Sequence, residues 1–129
     1  AQRATPADLE KLEAILLHDQ ENLKQNREDA KTDADLHVAI SLASHNTLFS
    51  HLMASCYHLL WDTQRMSRER IFRKEENRKL IGEQHRKVIQ AIKDRDPDKA
   101  SREARRHIDF VEQEMRKIIS EDHSEAGSR

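Results

Sequence analysis

Apolar residues recur at three- and four-residue steps in five successive stretches of this chain, and that is the period of an amphipathic helix. Leu9, Leu12, Ile15, Leu16 and Leu23 form the first stripe. Ala30, Ala34, His37, Ile40 and Ala43 with Ser44 form the second, and Leu48, Phe49, Leu52, Met53, Cys56, Leu59 and Leu60 the third. The fourth carries Leu80, Ile81, His85, Val88, Ile89 and Ile92; the fifth carries Ala100, Ala104, His107, Ile108, Val111, Met115 and Ile118. A strand-rich fold needs turn formers, and the 129 residues include two Gly and two Pro. Abundant Ala, Leu, Glu, Lys, Arg and Gln favour helix instead. The expectation is an all-α antiparallel helical bundle, with residues 1–129 forming a single domain.

Local chemistry marks several helix ends. Thr5, Pro6 and Asp8 supply an N-cap, an N1 proline and an acidic first turn for a helix reaching about Gln25. The second helix is expected from Arg27 to Ser44, and His45-Asn46-Thr47 is a break, since Asn and Thr favour caps. The third, from Thr47 to Arg68, is apolar on more than one side and reads as the central helix. Arg65 to Lys79 is polar and basic, read as a solvated face, with the fourth helix resuming by Asn77. Asp96-Pro97 starts the fifth, and residues from Glu121 onward read as a fraying tail.

Composition then excludes several classes of function. Lys and Arg total 23 against 24 Asp and Glu, a net charge of -1, where a free-standing nucleic-acid binder normally shows a basic excess. The basic stretch has no aromatic platform beyond Phe72. The single Cys56 excludes an internal disulfide and reads as a buried, inert thiol. No apolar run approaches the roughly 18 residues of a membrane span, and no signal-peptide pattern opens the chain. A soluble protein of the cytoplasm, without a membrane partner, is expected.

Histidine is the anomaly: there are eight, and three stand where the helical period wants apolar residues. Asp33 and His37, four apart, share one helix face with Ala30, Ile40 and Ser44. His85 leads the fourth stripe and His107 sits within the fifth. Asp33, His37, His85 and His107 therefore project from three helices toward one interior. Imidazole and carboxylate together suit a borderline divalent metal such as zinc, nickel, cobalt or manganese. Hydrogen-bonded core histidines are the metal-free alternative. His18, His45, His51, His58 and His123 show no such convergence. Three functions fit this pattern: a metal-dependent sensor, a metal-dependent hydrolase, or a metal-free helical interaction module. Against the hydrolase, no second group at readable spacing would act as general base, since Asp35 lies on another helix face.

The run Asp33-Ala34-Asp35-Leu36-His37-Val38-Ala39-Ile40-Ser41-Leu42-Ala43-Ser44-His45-Asn46 resembles the D-x-x-F-H-x-x-I-x-x-A-S-x-N signature of the FCD domain. That domain is the effector-binding half of FadR-type regulators in the GntR family of bacterial transcription factors. Glu83-Gln84-His85 through Ile92 resembles the family's second motif, and Asp94 to Ala100 followed by His107 its third. Arg3-Ala4-Thr5-Pro6-Ala7-Asp8-Leu9 is similar to its helix junction. Leu36 stands where the family usually has Phe.

The resemblance implies a sensing and dimerising domain, not an enzyme, with one divalent metal on Asp33, His37, His85 and His107. Zinc is the foremost candidate; nickel, manganese and cobalt are the others. The implied effector is a small carboxylate of the lactate, glycolate or pyruvate type. The implied assembly is a homodimer that meets DNA only through a winged-helix domain. That domain would precede this chain, which reads as an effector domain truncated at its N-terminal helix.

Overall fold

Five helices, and no strand, occur among the residues described by the computed structural model, which are 1–25 and 30–127, without the side chains of residues 23, 30 and 58–68. They are α1 (Pro6–Lys24), α2 (Ala30–Ala43), α3 (Thr47–Arg73), α4 (Glu75–Lys93) and α5 (Pro97–Gly127). The fold is the all-α bundle expected. The proposed start of the second helix at Arg27 lies outside the described residues. So do the side chains of Leu23, Ala30, His58, Leu59, Leu60, Arg65 and Arg68.

Capping chemistry sets three of the junctions. The Thr5 hydroxyl accepts from the Asp8 amide at 3.2 Å, and the Asp8 carboxylate accepts from the Thr5 amide at 2.8 Å. This reciprocal pair satisfies donors that the first turn of α1 would otherwise leave open. His45 takes a left-handed φ of 50° after α2, and Asn46 then caps α3 by accepting from the Phe49 amide at 3.0 Å. The Ser44 hydroxyl donates back to the Ser41 carbonyl at 2.5 Å and accepts from the Asn46 amide at 3.2 Å. Asp96 caps α5 through the Lys99 amide at 2.9 Å, with Pro97 at its first turn.

Two hydrophobic clusters organise the bundle. Leu12 of α1, Leu36 and Ala39 of α2, and Val88, Ile89 and Ile92 of α4 build the first. Ile71 and Phe72 of α3, Ile81 of α4 and Ile118 of α5 build the second. Ala100 and Ala104 of α5 pack on the first cluster, and Phe110, Val111 and Met115 on the second. Helix α4 thus runs from the second cluster to the first and α5 runs back, so the two are antiparallel.

Four expectations are corrected. The expected stop of α3 at Arg68 gives way to a helix that reaches Arg73, and a single extended residue, Lys74, with φ -79° and ψ 118°, separates it from α4, which has resumed by Asn77 as expected. No helix breaker stands after Arg68, and burial of Ile71 and Phe72 carries α3 another turn into the second cluster. Arg78 is buried, not solvated: its guanidinium donates to the carbonyls of Phe72 at 2.6 Å and Arg73 at 3.2 Å, while Asn77 donates to Ile71 at 3.2 Å. These bonds satisfy the carbonyls left open at the end of α3. Second, the described side chains of the first half of α3 are not those of a central helix. Leu48 and Leu52 are 81% and 58% exposed, whereas α4 buries Ile81, His85, Val88, Ile89 and Ile92. Third, α5 does not fray at Glu121 but continues to Gly127, where Arg70 holds Asp122 at 2.6 Å and Glu121 at 3.4 Å. Fourth, Cys56 is half-buried.

The α1 cap gives a pH-dependent test. The backbone hydrogen bond from Thr5, then the contact with His45 at 2.6 Å, pull the Asp8 carboxyl from 3.8 to about 2. A depressed carboxylate stabilises the fold above its unfolded pKa, and the contribution disappears as pH falls through the folded value. Asp8→Ala should lower Tm by a few degrees at neutral pH. The gap from the unsubstituted chain should narrow as pH falls from about 4 to about 2. Urea or thermal melts across that range check it, and a gap independent of pH contradicts it.

Candidate metal centre

Three helices meet where the two clusters adjoin, and each brings a polar side chain to that seam. On α4, His85 stands between Ile81 of one cluster and Val88 of the other. On α5, His107 stands between Ala104 and Phe110 in the same way. Asp33 and His37 come from consecutive turns of α2. His85 is 2% exposed, His107 3% and Asp33 6%; the His37 side chain is partly open.

The sequence-derived quartet is brought together. Asp33 Oδ1 lies 3.6 Å from His37 Nε2 and 3.2 Å from His85 Nε2. His107 Nε2 lies 3.3 Å from His37 Nε2 and 3.4 Å from His85 Nε2. One ligand atom from each residue falls within 4.8 Å of all the others. Two ligands each about 2.0–2.2 Å from one ion stand roughly 3.0–3.5 Å apart at angles between octahedral and tetrahedral. These four separations, 3.2–3.6 Å, are close to the size such a shell requires, and the donor set suits a borderline divalent ion.

Proton positions strengthen the fit. His107 Nδ1 lies 2.9 Å from Gln84 Oε1, a pure acceptor, so Nδ1 carries the hydrogen and Nε2 turns its lone pair to the centre. A metal ion would take the lone pair of each Nε2; without one, the rings must share hydrogens with one another and with the Asp33 carboxylate. Burial opposes the charge on His85, but the neighbouring carboxylates of Asp19 and Asp33 overcome it and push the imidazole up to about 9. Burial likewise opposes the Asp33 carboxylate, yet His37 and His85 hold it well below the usual range.

Asp33, His37 and His107 also line a cavity of about 240 Å³. Its other walls are mainly apolar, including Val38, Met53, Ile71, Phe72, Ile81 and Val111, with Tyr57 beside them. No Lys or Arg lines it among the described residues. Asp35 pairs with Lys31 at 2.8 Å and accepts from Tyr57 at 3.4 Å, away from the quartet as expected. His45 pairs with Asp8, while His18, His51 and His123 are exposed and outside the cluster. Sequence reasoning missed Asp19 and Gln84. Asp19 had left a signal, since it follows Leu12 and Leu16 along the buried stripe of α1.

The profile of the FCD domain matches residues 1–110. The chain is 33% identical over 122 residues to an L-lactate dehydrogenase operon regulatory protein of Escherichia coli, covering 92% of this chain and 45% of that protein. It is 30% identical over 96 residues to a Glc operon transcriptional activator of the same organism, covering 74% of this chain and 38% of the relative. The chain spans less than half the length of these curated relatives, which are regulators and not enzymes. No solved structure matches it.

The electrostatics give the second test. In metal-free protein, His85 should titrate near 9 by NMR, above its ordinary 6.5. Replacing Asp33 by Asn removes one of the two carboxylates that sustain the shift, so the His85 pKa should fall while burial continues to press it down. A His85 titration unmoved by Asp33→Asn contradicts this account.

Proposed function

The chain belongs to the FCD family, and on that premise we propose that it senses a small carboxylate through a metal ion held by Asp33, His37, His85 and His107. The chain is a ligand-sensing regulatory domain of the kind found in GntR/FadR-type transcriptional regulators. The metal-borne reading is supported by three Nε2 atoms and one carboxylate oxygen that lie within 4.8 Å of one another in the interior.

Zinc is the first choice for the ion, with nickel, cobalt and manganese as the alternatives from the donor set. A bound divalent ion supplies a net positive charge of about +1 after Asp33 is counted, together with coordination positions open to an anion. The chain's own residues do the rest. Gln84 fixes the His107 ring, Asp33 compensates charge, and the apolar walls exclude water and accept a small hydrocarbon group. An acid of the lactate, glycolate or pyruvate type fits this division, with its carboxylate toward the quartet. The operon named for the first relative supports lactate as the first acid to test. The proposal extends to a cytoplasmic homodimer in which a winged-helix domain ahead of this chain contacts DNA. Effector binding then biases the arrangement of the two DNA-binding domains. No helix among the described residues is long and apolar enough to cross a membrane.

Two measurements test this reading. Calorimetry on the metal-loaded full-length regulator should show lactate, glycolate or pyruvate binding that chelator abolishes. Equal affinity with and without metal would contradict a metal-borne effector. His107→Ala should lower metal content and Tm together, because the site joins three helices and binding to the native state adds stability. His123→Ala, remote from the quartet, is the control. Unchanged metal stoichiometry in His107→Ala rules out the assignment.

A further inference from the structure

We infer that Asp19 is the outer carboxylate that orients His85 and ties α1 to the metal centre, a role that rests on the metal reading above. Helices α2, α4 and α5 each give the quartet a side chain, and α1 gives none. Yet α1 carries Asp19 on the stripe of Leu12 and Leu16, packed toward α4. Asp19 Oδ2 lies 3.7 Å from His85 Nδ1. Both atoms are buried, and neither has a hydrogen-bond partner among the described residues. An acceptor and a donor position left unsatisfied in the interior are costly, and here they face one another.

The chemistry assigns each atom a task. His85 Nε2 is turned to Asp33 and His107, so a ring that offers Nε2 to a metal must carry its hydrogen on Nδ1. Asp19 Oδ2 is the carboxylate oxygen beside that nitrogen. Shortening 3.7 Å to an ordinary N–H···O distance needs a shift of roughly 1 Å or less. Gln84 performs the same task for His107, but it belongs to α4, which already supplies His85. Asp19 is different because it makes the state of the centre felt in a fourth helix. It is a positioning residue, since it acts on the metal through the imidazole.

Cobalt(II), used as a spectroscopic probe on the whole chain, tests the role with Asp19→Ala and Asp19→Asn. Asp19→Ala should keep a stoichiometry of one ion and weaken affinity about 10- to 100-fold. Its cobalt absorption bands should shift, and the His85 Nδ1–H resonance of the zinc-loaded protein should be lost. Asp19→Asn retains an acceptor oxygen and should recover part of the affinity and that resonance. If Asp19→Ala does not fold by circular dichroism, Asp19→Asn decides, with affinity expected between that of the unsubstituted chain and a 100-fold loss. Unsubstituted affinity and spectra in the folded variant would overturn the role of Asp19 alone. Failure of the unsubstituted chain to bind cobalt or zinc would overturn the metal reading and this inference with it.

Discussion

Three imidazoles and one carboxylate meet across 3.2–3.6 Å inside a helical bundle, and each contact needs a shared hydrogen or a cation to be favourable. That requirement sits at the seam of the two hydrophobic clusters, and the architecture is arranged around it. Helices α4 and α5 each change cluster at a histidine, and α2 brings Asp33 and His37 to the same level. A cation at the seam joins three helices that apolar packing alone holds as two adjoining cores. With a proton there, the quartet is a buried charged network; with a divalent ion, it becomes a centre with charge to spare for an anion.

The cavity beside the quartet gives that charge an outlet. Asp33, His37 and His107 belong to both the ligand cluster and the cavity wall, whereas His85 lies behind them. A ligand in the cavity therefore meets the polar centre on one side and Val38, Phe72 and Val111 on the others. Ile71 and Phe72 belong to the last turn of α3, whose end is fixed by Arg78 and Asn77 from α4. The same capping contacts that stop α3 thus hold part of the cavity wall in place. A sensor needs this connection between a local binding event and the disposition of helices, because a ligand shifts an equilibrium only by its differential affinity for the states involved.

Much of this was legible before the structure, wherever the information is local. Thr5-Pro6-Asp8 and Asp96-Pro97 mark helix starts because a cap bonds to amides two or three residues away. Asp33 and His37 announce themselves by four-residue spacing, and His85 and His107 by interrupting apolar stripes. What was hidden depends on contacts distant in sequence. The junction at Lys74 has no Gly, Pro or Asn to mark it; buried Ile71 and Phe72 and the reach of Arg78 decide where α3 ends. The continuation of α5 past Glu121 accompanies ion pairs to Arg70 on another helix. The apolar run of α3 suggested a central element, but Leu48, Phe49 and Leu52 face outward, since hydrophobicity alone does not say which sides find partners. Asp19 was overlooked because one acid in a leucine stripe acquires meaning only when His85 is seen opposite.

Elemental analysis of the chain purified without added metal or chelator addresses the central claim most directly. A centre held by Asp33, His37, His85 and His107 predicts close to one divalent ion per chain, removed by chelator with a drop in Tm and restored by adding the ion back. A folded chain that carries no divalent ion, and whose Tm does not respond to zinc, nickel, cobalt or manganese, would contradict it.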